Sequence, residues 1–193
     1  MQWVMASSDR MIKDFPRVPG PDAREAGVLI LLYPYNGTVH TVFIQRPDYI
    51  GIHGGQISFP GGKREPDDSN IIETALREAA EEVGIRISEI SVIGTLTPLF
   101  IPVSNTNVTP VAGWTDSRPE FKHKTDEVVF LIEGEIKRFL EPSMVRIKPF
   151  EIRGEMISIK YFDYDGHIIW GATAMILNEL LAIIARSDIT LNT

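Results

Sequence analysis

Glu78, Glu81 and Glu82 stand at i, i+3 and i+4 in the run Leu76-Arg77-Glu78-Ala79-Ala80-Glu81-Glu82-Val83-Gly84-Ile85. On a helix that advances about 100° per residue, the three carboxylates share one sector. Ile72, Leu76, Ala79, Ala80 and Val83 fall on the opposite side, where a core would lie. Three like charges so spaced repel, each pair weakening the helix by about 0.2–0.5 kcal/mol. A hard divalent cation offsets that repulsion directly. A solvated acidic face is the plainer reading of the same residues, and the context weighs against it. Arg77 precedes the first Glu, and Gly84 follows the cluster where a helix takes its C′ glycine. Phe59-Pro60-Gly61-Gly62 comes ahead of the helix at a loop's length.

Together these residues resemble the Nudix box, written G-x5-E-x7-R-E-U-x-E-E-x-G-U with U a bulky aliphatic. Arg77, Glu78, Ala79, Glu81, Glu82, Gly84 and Ile85 match its second half, Ala79 being small for its place. Counted from Gly62, the acidic position holds Asp68 rather than Glu, and Arg77 comes one residue late. The segment Arg46 … His53-Gly54-Gly55-Gln56-Ile57-Ser58-Phe59-Pro60-Gly61-Gly62 resembles the signature ahead of the box in the coenzyme A pyrophosphatase branch. That branch also has a loop one residue longer. Pro47 stands where its signature has Ser or Ala, and Gly51 where it has a second Arg, a plausible phosphate contact.

The resemblance implies an α/β/α sandwich with a mixed sheet between helices, and a pyrophosphohydrolase that depends on Mg2+ or Mn2+. Glu78, Glu81 and Glu82 would hold the metal, with the Gly61 carbonyl as a further ligand. Glycine suits that place, because the backbone must turn sharply and come close to the ion. Arg77 would orient a ligand carboxylate, the alternative being a surface ion pair of little worth. Arg46, His53 and Gln56 would face the substrate. In Asp126-Glu127-Val128, Glu127 is the first candidate outside the box for metal or general base, a charged strand end being the other reading. Glu133 and Glu135 are weaker candidates, because Gly134 suggests that they flank a turn. His167, Trp170 and Thr173 resemble a tail feature of the same branch.

The substrate implied is a nucleoside diphosphate derivative. Coenzyme A or an acyl derivative, giving 3′,5′-ADP and a phosphopantetheine product, is favoured. ADP-ribose or a dinucleotide is the competitor within the class. A catalytically silent module that senses a nucleotide is the alternative from another class, and the intact acidic trio argues against it.

Composition bounds these readings. The chain has 193 residues, 44% of them hydrophobic, enough for one domain with a sizeable core. A single domain over residues 1–193 is expected, with a short N-terminal extension and a C-terminal helix. There is no cysteine, which removes disulfides and thiolate chemistry and permits a reducing, cytoplasmic setting. Met1 to Lys13 does not read as a signal peptide, and no run reaches the length of a membrane span. A net charge of −7 argues against a nucleic-acid groove. It also sits oddly with a polyanionic substrate unless bound cations dominate the pocket.

The elements that must position the carboxylates follow from pattern. A short N-terminal helix precedes a Pro- and Gly-rich loop over 14–25. Gly27 to Leu32 reads as a buried strand, Asn36-Gly37 as a hairpin turn, and Val39 to Gln45 as the returning strand. Gln56 to Phe59 makes a strand that ends at the glycine pair. The helix runs over Asn70 to Val83, with Asn70 and Glu73 at capping-box spacing. Ile90 to Leu96 and Val108 to Trp114 are strands around a long functional loop from Pro98 to Thr109. Glu127 to Leu131 begins another strand, and Ile136 to Leu140 a short helix. Phe150 to Ile152, Ile157 to Asp163 and Ile168 to Trp170 read as sheet, with Asp165-Gly166 as a hairpin turn. Gly171 to Arg186 is a helix apolar almost all round, buried in this domain or against a second subunit; a homodimer is permitted.

Overall fold

The structure, a computed structural model, describes residues 18–48, 54–124, 126–152, 155–187 and 191–192. The expected N-terminal helix therefore lies outside the described residues. Strand β1 (Arg24–Tyr35) and strand β2 (Thr38–Gln45) form the expected hairpin. Asn36 and Gly37 both take positive φ, 48° and 79°, as a two-residue turn between twisted strands requires. The hairpin then splays. β1 and β2 pair only from Leu32↔Thr41 to Tyr35↔Thr38. Two short pieces fill the gap. Strand β3 (Ile57–Ser58) pairs with β2, and strand β4 (Gly61–Lys63) pairs with β1.

On its other side β1 runs parallel to β7 (Thr106–Trp114) over nine rungs. Strands β5 (Ser91–Thr95) and β6 (Leu99–Ile101) pair antiparallel with β7, and β8 (Phe130–Glu135) with β2. The result is one mixed sheet of eight strands. A second, antiparallel sheet holds β9 (Val145–Ile152), β10 (Glu155–Tyr164) and β11 (His167–Ile169). Asp165 and Gly166 make the predicted turn between the last two, at φ 53° and 87°.

Both faces of the large sheet are covered, which is why β1 reads as a continuous apolar run rather than an alternation. Leu29, Leu31, Tyr33, Val42 and Ile44 meet helix α1 (Ile71–Val83) through Ala75, Ala79 and Val83. Ile30, Leu32 and Phe43 face the other way. There they join helix α3 (Gly171–Ile184) and Phe162, Tyr164 and Ile169 of the small sheet. Between the sheets lies one turn of helix, α2 (Ile136–Phe139). Leu29, Ile30 and Leu31 have no exposed surface, and full burial of such a side chain contributes about 1.5–3 kcal/mol. Most of the apolar surface of α3 is thus satisfied within the domain, only Ile183 standing well exposed.

Several expectations need correcting. Gly61 and Gly62 do not end a strand; they are in one, paired with Val28 and Gly27. The segment from Pro98 to Thr109 is not a long loop but carries β6, a 3-10 turn at Pro102–Ser104 and the start of β7. The strand placed over Glu127 to Leu131 begins later, at Phe130. Gly134 is mid-strand, not a turn. A Cβ there would meet the Phe139 ring at 2.6 Å and the Phe43 ring at 3.0 Å, so glycine makes room for two aromatics.

Candidate active site

The acidic helix is fixed at both ends. Asn70 Oδ1 accepts the N–H groups of Ile72 and Glu73, at 3.0 and 3.1 Å. The Glu73 carboxylate reaches back to the Ser69 N–H at 2.8 Å, so the capping box closes one residue earlier than its spacing predicts. Gly84 ends the helix at φ 72°, its N–H donating to the Ala80 carbonyl at 2.9 Å. The chain from β7 to β8 then crosses this end. Lys122 and Lys124 donate backbone N–H groups to the Val83 and Glu82 carbonyls, at 2.9 and 3.1 Å.

Arg77 organises the outer half of the site. Its Nε and Nη2 hold the Asp68 carboxylate at 2.9 and 3.0 Å. Thr74 Oγ1 and the Glu65 N–H complete Asp68, both at 2.9 Å. The Arg77 hydrogen bonds hold the Asp68 carboxyl well below the usual carboxylate range. The same guanidinium contacts Glu78 at 3.1 Å and Glu81 at 3.3 Å. Arg77 is thus more than a surface pair: it ties two of the three box carboxylates to a buried anchor. Sequence reasoning saw Asp68 only as the occupant of an acidic position; its anchoring work needed the structure.

The inner half is built on the glycine pair. Glu82 is buried at 3% exposure, so this edge of the helix is not the solvated face that its charges suggest. One of its oxygens accepts the Gly61 N–H at 2.7 Å. Burial pushes its carboxyl up to about 7, against the opposing pull of Arg46 and the Gly61 N–H. Gly61 has φ 151°, open only to glycine. Gly62 has no side chain because the Glu78 carboxylate takes that space; a Cβ would lie 2.7 Å from Oε1. Burial also raises the Glu78 carboxyl, with Arg77 opposing. Arg46, just beyond β2, donates to the Gly61 carbonyl at 3.0 Å and to Ser58 Oγ at 3.1 Å, and lies 3.6 Å from Glu82. Ser58 sits inside the signature segment but nothing in the sequence marked it.

The remaining candidates divide. Glu127 is not at a strand end but in a turn ahead of β8, where Lys124 Nζ pairs with it at 2.7 Å. Its charge reaches Glu82 and helps to raise that carboxyl. The Gln56 carbonyl accepts the Arg46 N–H at 3.0 Å, which places Gln56 beside the site. His53 lies outside the described residues. Glu133 is occupied elsewhere. Arg118 holds it at 2.6 and 2.8 Å and Tyr33 donates to it at 2.9 Å. It stands opposite Val42, three residues along β2 from Gln45, about 10 Å away at strand rise. Glu135 lies two residues further along, opposite His40. Thr173 Oγ1 donates to the Ile57 carbonyl at 3.0 Å and so braces β3 from below. Trp170 is half-buried and stacks on Phe150, ring centroids 5.6 Å apart, and His167 packs on Phe130. Both sit with the small sheet.

Among the described residues, no three His, Cys, Asp or Glu side chains are gathered so as to hold an ion by themselves. The donors suit an ion that keeps open positions. Glu78 and Glu82 approach the Gly61–Gly62 backbone, and a cationic guanidinium already rests on the Gly61 carbonyl beside Glu82. Mg2+ is bound in this manner, by one or two carboxylates with the rest left to water and phosphate oxygens.

The comparisons bear on family and fold. A family model described as the NUDIX domain matches residues 23–144. The protein named Uncharacterized Nudix hydrolase NudL from Yersinia pestis (strain Pestoides F) is 39% identical over 138 residues, covering 70% of this chain and 68% of that one. Its namesake in Yersinia pseudotuberculosis serotype O:1b (strain IP 31758) matches with the same identity and coverage. Among solved structures, the M. smegmatis Nudix hydrolase RenU superposes with a TM-score of 0.59 at 14% identity, over 87% of this chain and 89% of its own. The C. elegans Ap4A hydrolase does so at 0.58 and 14%, over 84% and 98%. At such identity these two speak for the fold, a mixed sheet between helices, and for nothing finer. Family match, relatives and fold together show that this chain belongs to the Nudix hydrolases, pyrophosphohydrolases that act on nucleoside diphosphate derivatives and generally use divalent metal ions.

Proposed function

We propose that the chain hydrolyses the diphosphate of coenzyme A or an acyl derivative, releasing 3′,5′-ADP and a phosphopantetheine product. The observation that supports hydrolysis is the meeting of Glu78 and Glu82 with the Gly61–Gly62 backbone, because it gathers carboxylate and carbonyl oxygens in one place. The resemblance of Arg46 to Gly62 to the coenzyme A signature supports the choice of substrate.

In this reading Glu78, Glu81 and Glu82, with the Gly61 carbonyl, hold Mg2+ or Mn2+. Such an ion, when bound, would supply neutralisation of phosphate charge and activation of a water. Arg77, anchored on Asp68, keeps Glu78 and Glu81 from drifting apart. Arg46, Gln56 and His53 meet the substrate. Glu82 within the box and Glu127 outside it are the candidates to take the proton from the attacking water.

Gly51 in place of the signature's second Arg favours a second reading, in which ADP-ribose or a dinucleotide is the substrate. A panel of diphosphates with Mg2+ and product identification separates them. Release of 3′,5′-ADP supports coenzyme A; cleavage confined to ADP-ribose or dinucleotides replaces it. If the Glu82→Gln variant turns over as fast as the parent, the assignment of the carboxylates is wrong. No turnover of any diphosphate would favour the silent sensor instead.

A further inference from the structure

The guanidinium of Arg46 rests on the two oxygens that the preceding reading gives to a metal ion. Nη2 donates to the Gly61 carbonyl at 3.0 Å and stands 3.6 Å from Glu82 Oε1. Nε donates to Ser58 Oγ at 3.1 Å. The second Glu82 oxygen takes the Gly61 N–H at 2.7 Å. A carboxylate at 3% exposure is costly to ionise alone, and the Arg46 guanidinium stands 3.6 Å from it. The planar fork is suited to this: it spans a hydroxyl, a carbonyl and a carboxylate at once, which an ammonium on a flexible stem does poorly.

We propose that Arg46 is an exchangeable counter-ion of the Gly61 carbonyl and the Glu82 carboxylate, displaced when a divalent cation binds and thereby freed to meet a phosphate oxygen of the substrate. The proposal rests on the metal reading above. A divalent ion on the Gly61 oxygen would strongly repel a guanidinium that donates to the same oxygen from 3.0 Å. Arg46 has somewhere to go. Its side chain is 26% exposed, and it follows Gln45, the last residue of β2, where the chain leaves the sheet. Ser58 Oγ, off the ion's own donors, can keep hold of Nε while the rest of the fork turns outward. Metal loading and phosphate capture are then one exchange: the cation takes the carbonyl, and the arginine is released toward the incoming anion.

The test needs no turnover. Titrate the parent, Arg46→Lys and Arg46→Gln with Mn2+ alone, following free Mn2+ by electron paramagnetic resonance. In parallel, follow the Arg46 Nε–H signal by NMR as Mg2+ is added, assigned by its loss in Arg46→Lys. The exchange predicts a shift of that signal with Mg2+ and Mn2+ binding tighter by about tenfold or more in Arg46→Gln. It predicts the substrate KM rising in both variants. If the Gly61 and Glu82 amide signals respond to Mg2+ while the Arg46 signal stays fixed, the arginine is not displaced and the proposal fails while the metal reading stands. If neither the parent nor Arg46→Gln binds Mn2+, with both shown folded by their melting curves, both fail together.

Discussion

Arg77 grips Asp68 through two parallel hydrogen bonds, Nε to Oδ1 at 2.9 Å and Nη2 to Oδ2 at 3.0 Å, across nine residues of sequence. The fork turns a helix-surface arginine into a fixed post from which Glu78 and Glu81 are steered. Asp68→Asn keeps the shape and removes the charge, so the post loosens. We expect kcat to fall about 10–100-fold, with KM little changed. Steady-state kinetics on the preferred diphosphate checks the split. Acid melting supplies a second readout. The Asp68 carboxyl is held below its ordinary value, so its stabilisation is complete above that value and is lost as pH falls through the folded one. The Asn variant starts less stable at neutral pH and loses less on acidification; equal acid slopes would remove the ion pair from the explanation.

Glu82 carries the opposite sign. Its carboxyl is pushed up to about 7 by burial, from an ordinary 4.5. The unfolded chain gives up this proton first, so the metal-free protein loses stability as pH rises from about 4.5 to about 7, by up to about 3 kcal/mol. Glu82→Gln keeps an oxygen for the Gly61 N–H and has no proton to lose. Urea melts in chelator at pH 5 and pH 8 should show a fall in the parent that is smaller in the variant, where only Glu78 is left with a raised carboxyl at this site. The variant's turnover should drop at least about a hundredfold.

Gly62→Ala inserts a methyl group into the space of the Glu78 carboxylate. We expect Mn2+ affinity to weaken about 10–100-fold, while the melting point moves little because Glu78 can turn outward. Titration followed by the melting curve checks both halves. Unchanged affinity would separate Glu78 from the ion.

Gly134→Ala tests packing instead of chemistry. The new methyl group meets Phe139 and Phe43 at 2.6 and 3.0 Å, and overpacking of this kind costs about 1–3 kcal/mol. Denaturant melts should show the loss, and the specific activity of the folded fraction should be unchanged.

What could be read from the residues was what depended on local chemistry. The helix was legible from Asn70 to Gly84, because its caps and its apolar stripe all lie within one segment. Both Gly-bearing hairpin turns were legible for the same reason. The rest depended on partners remote in sequence. Gly134 looked like a turn because the aromatic rings that require it come from β2 and α2. Glu133 looked like a spare acid because Arg118 and Tyr33 lie 15 and 100 residues away. Ser58 gave no signal, since a lone hydroxyl on a short strand is ordinary until Arg46 is seen to reach it. Glu82 was legible as a ligand but not as a buried group, because its side-chain partners, the Gly61 N–H and Arg46, lie 21 and 36 residues before it.

The parting of β1 from β2 beyond Leu32 has a bearing on how such a molecule changes its diet. The pieces that fill the wedge, Ile57–Ser58 and Gly61–Lys63, are each stitched to a different long strand. Slack on either side, in the stretch after Arg46 or in the one between Lys63 and Asn70, can therefore be taken up without tugging on the stitches. The supernumerary residue ahead of Arg77 is a case of it, absorbed in a bend that still delivers Asp68 to its arginine. Connections on either flank can differ in length while the acidic helix and the glycine pair keep their seats.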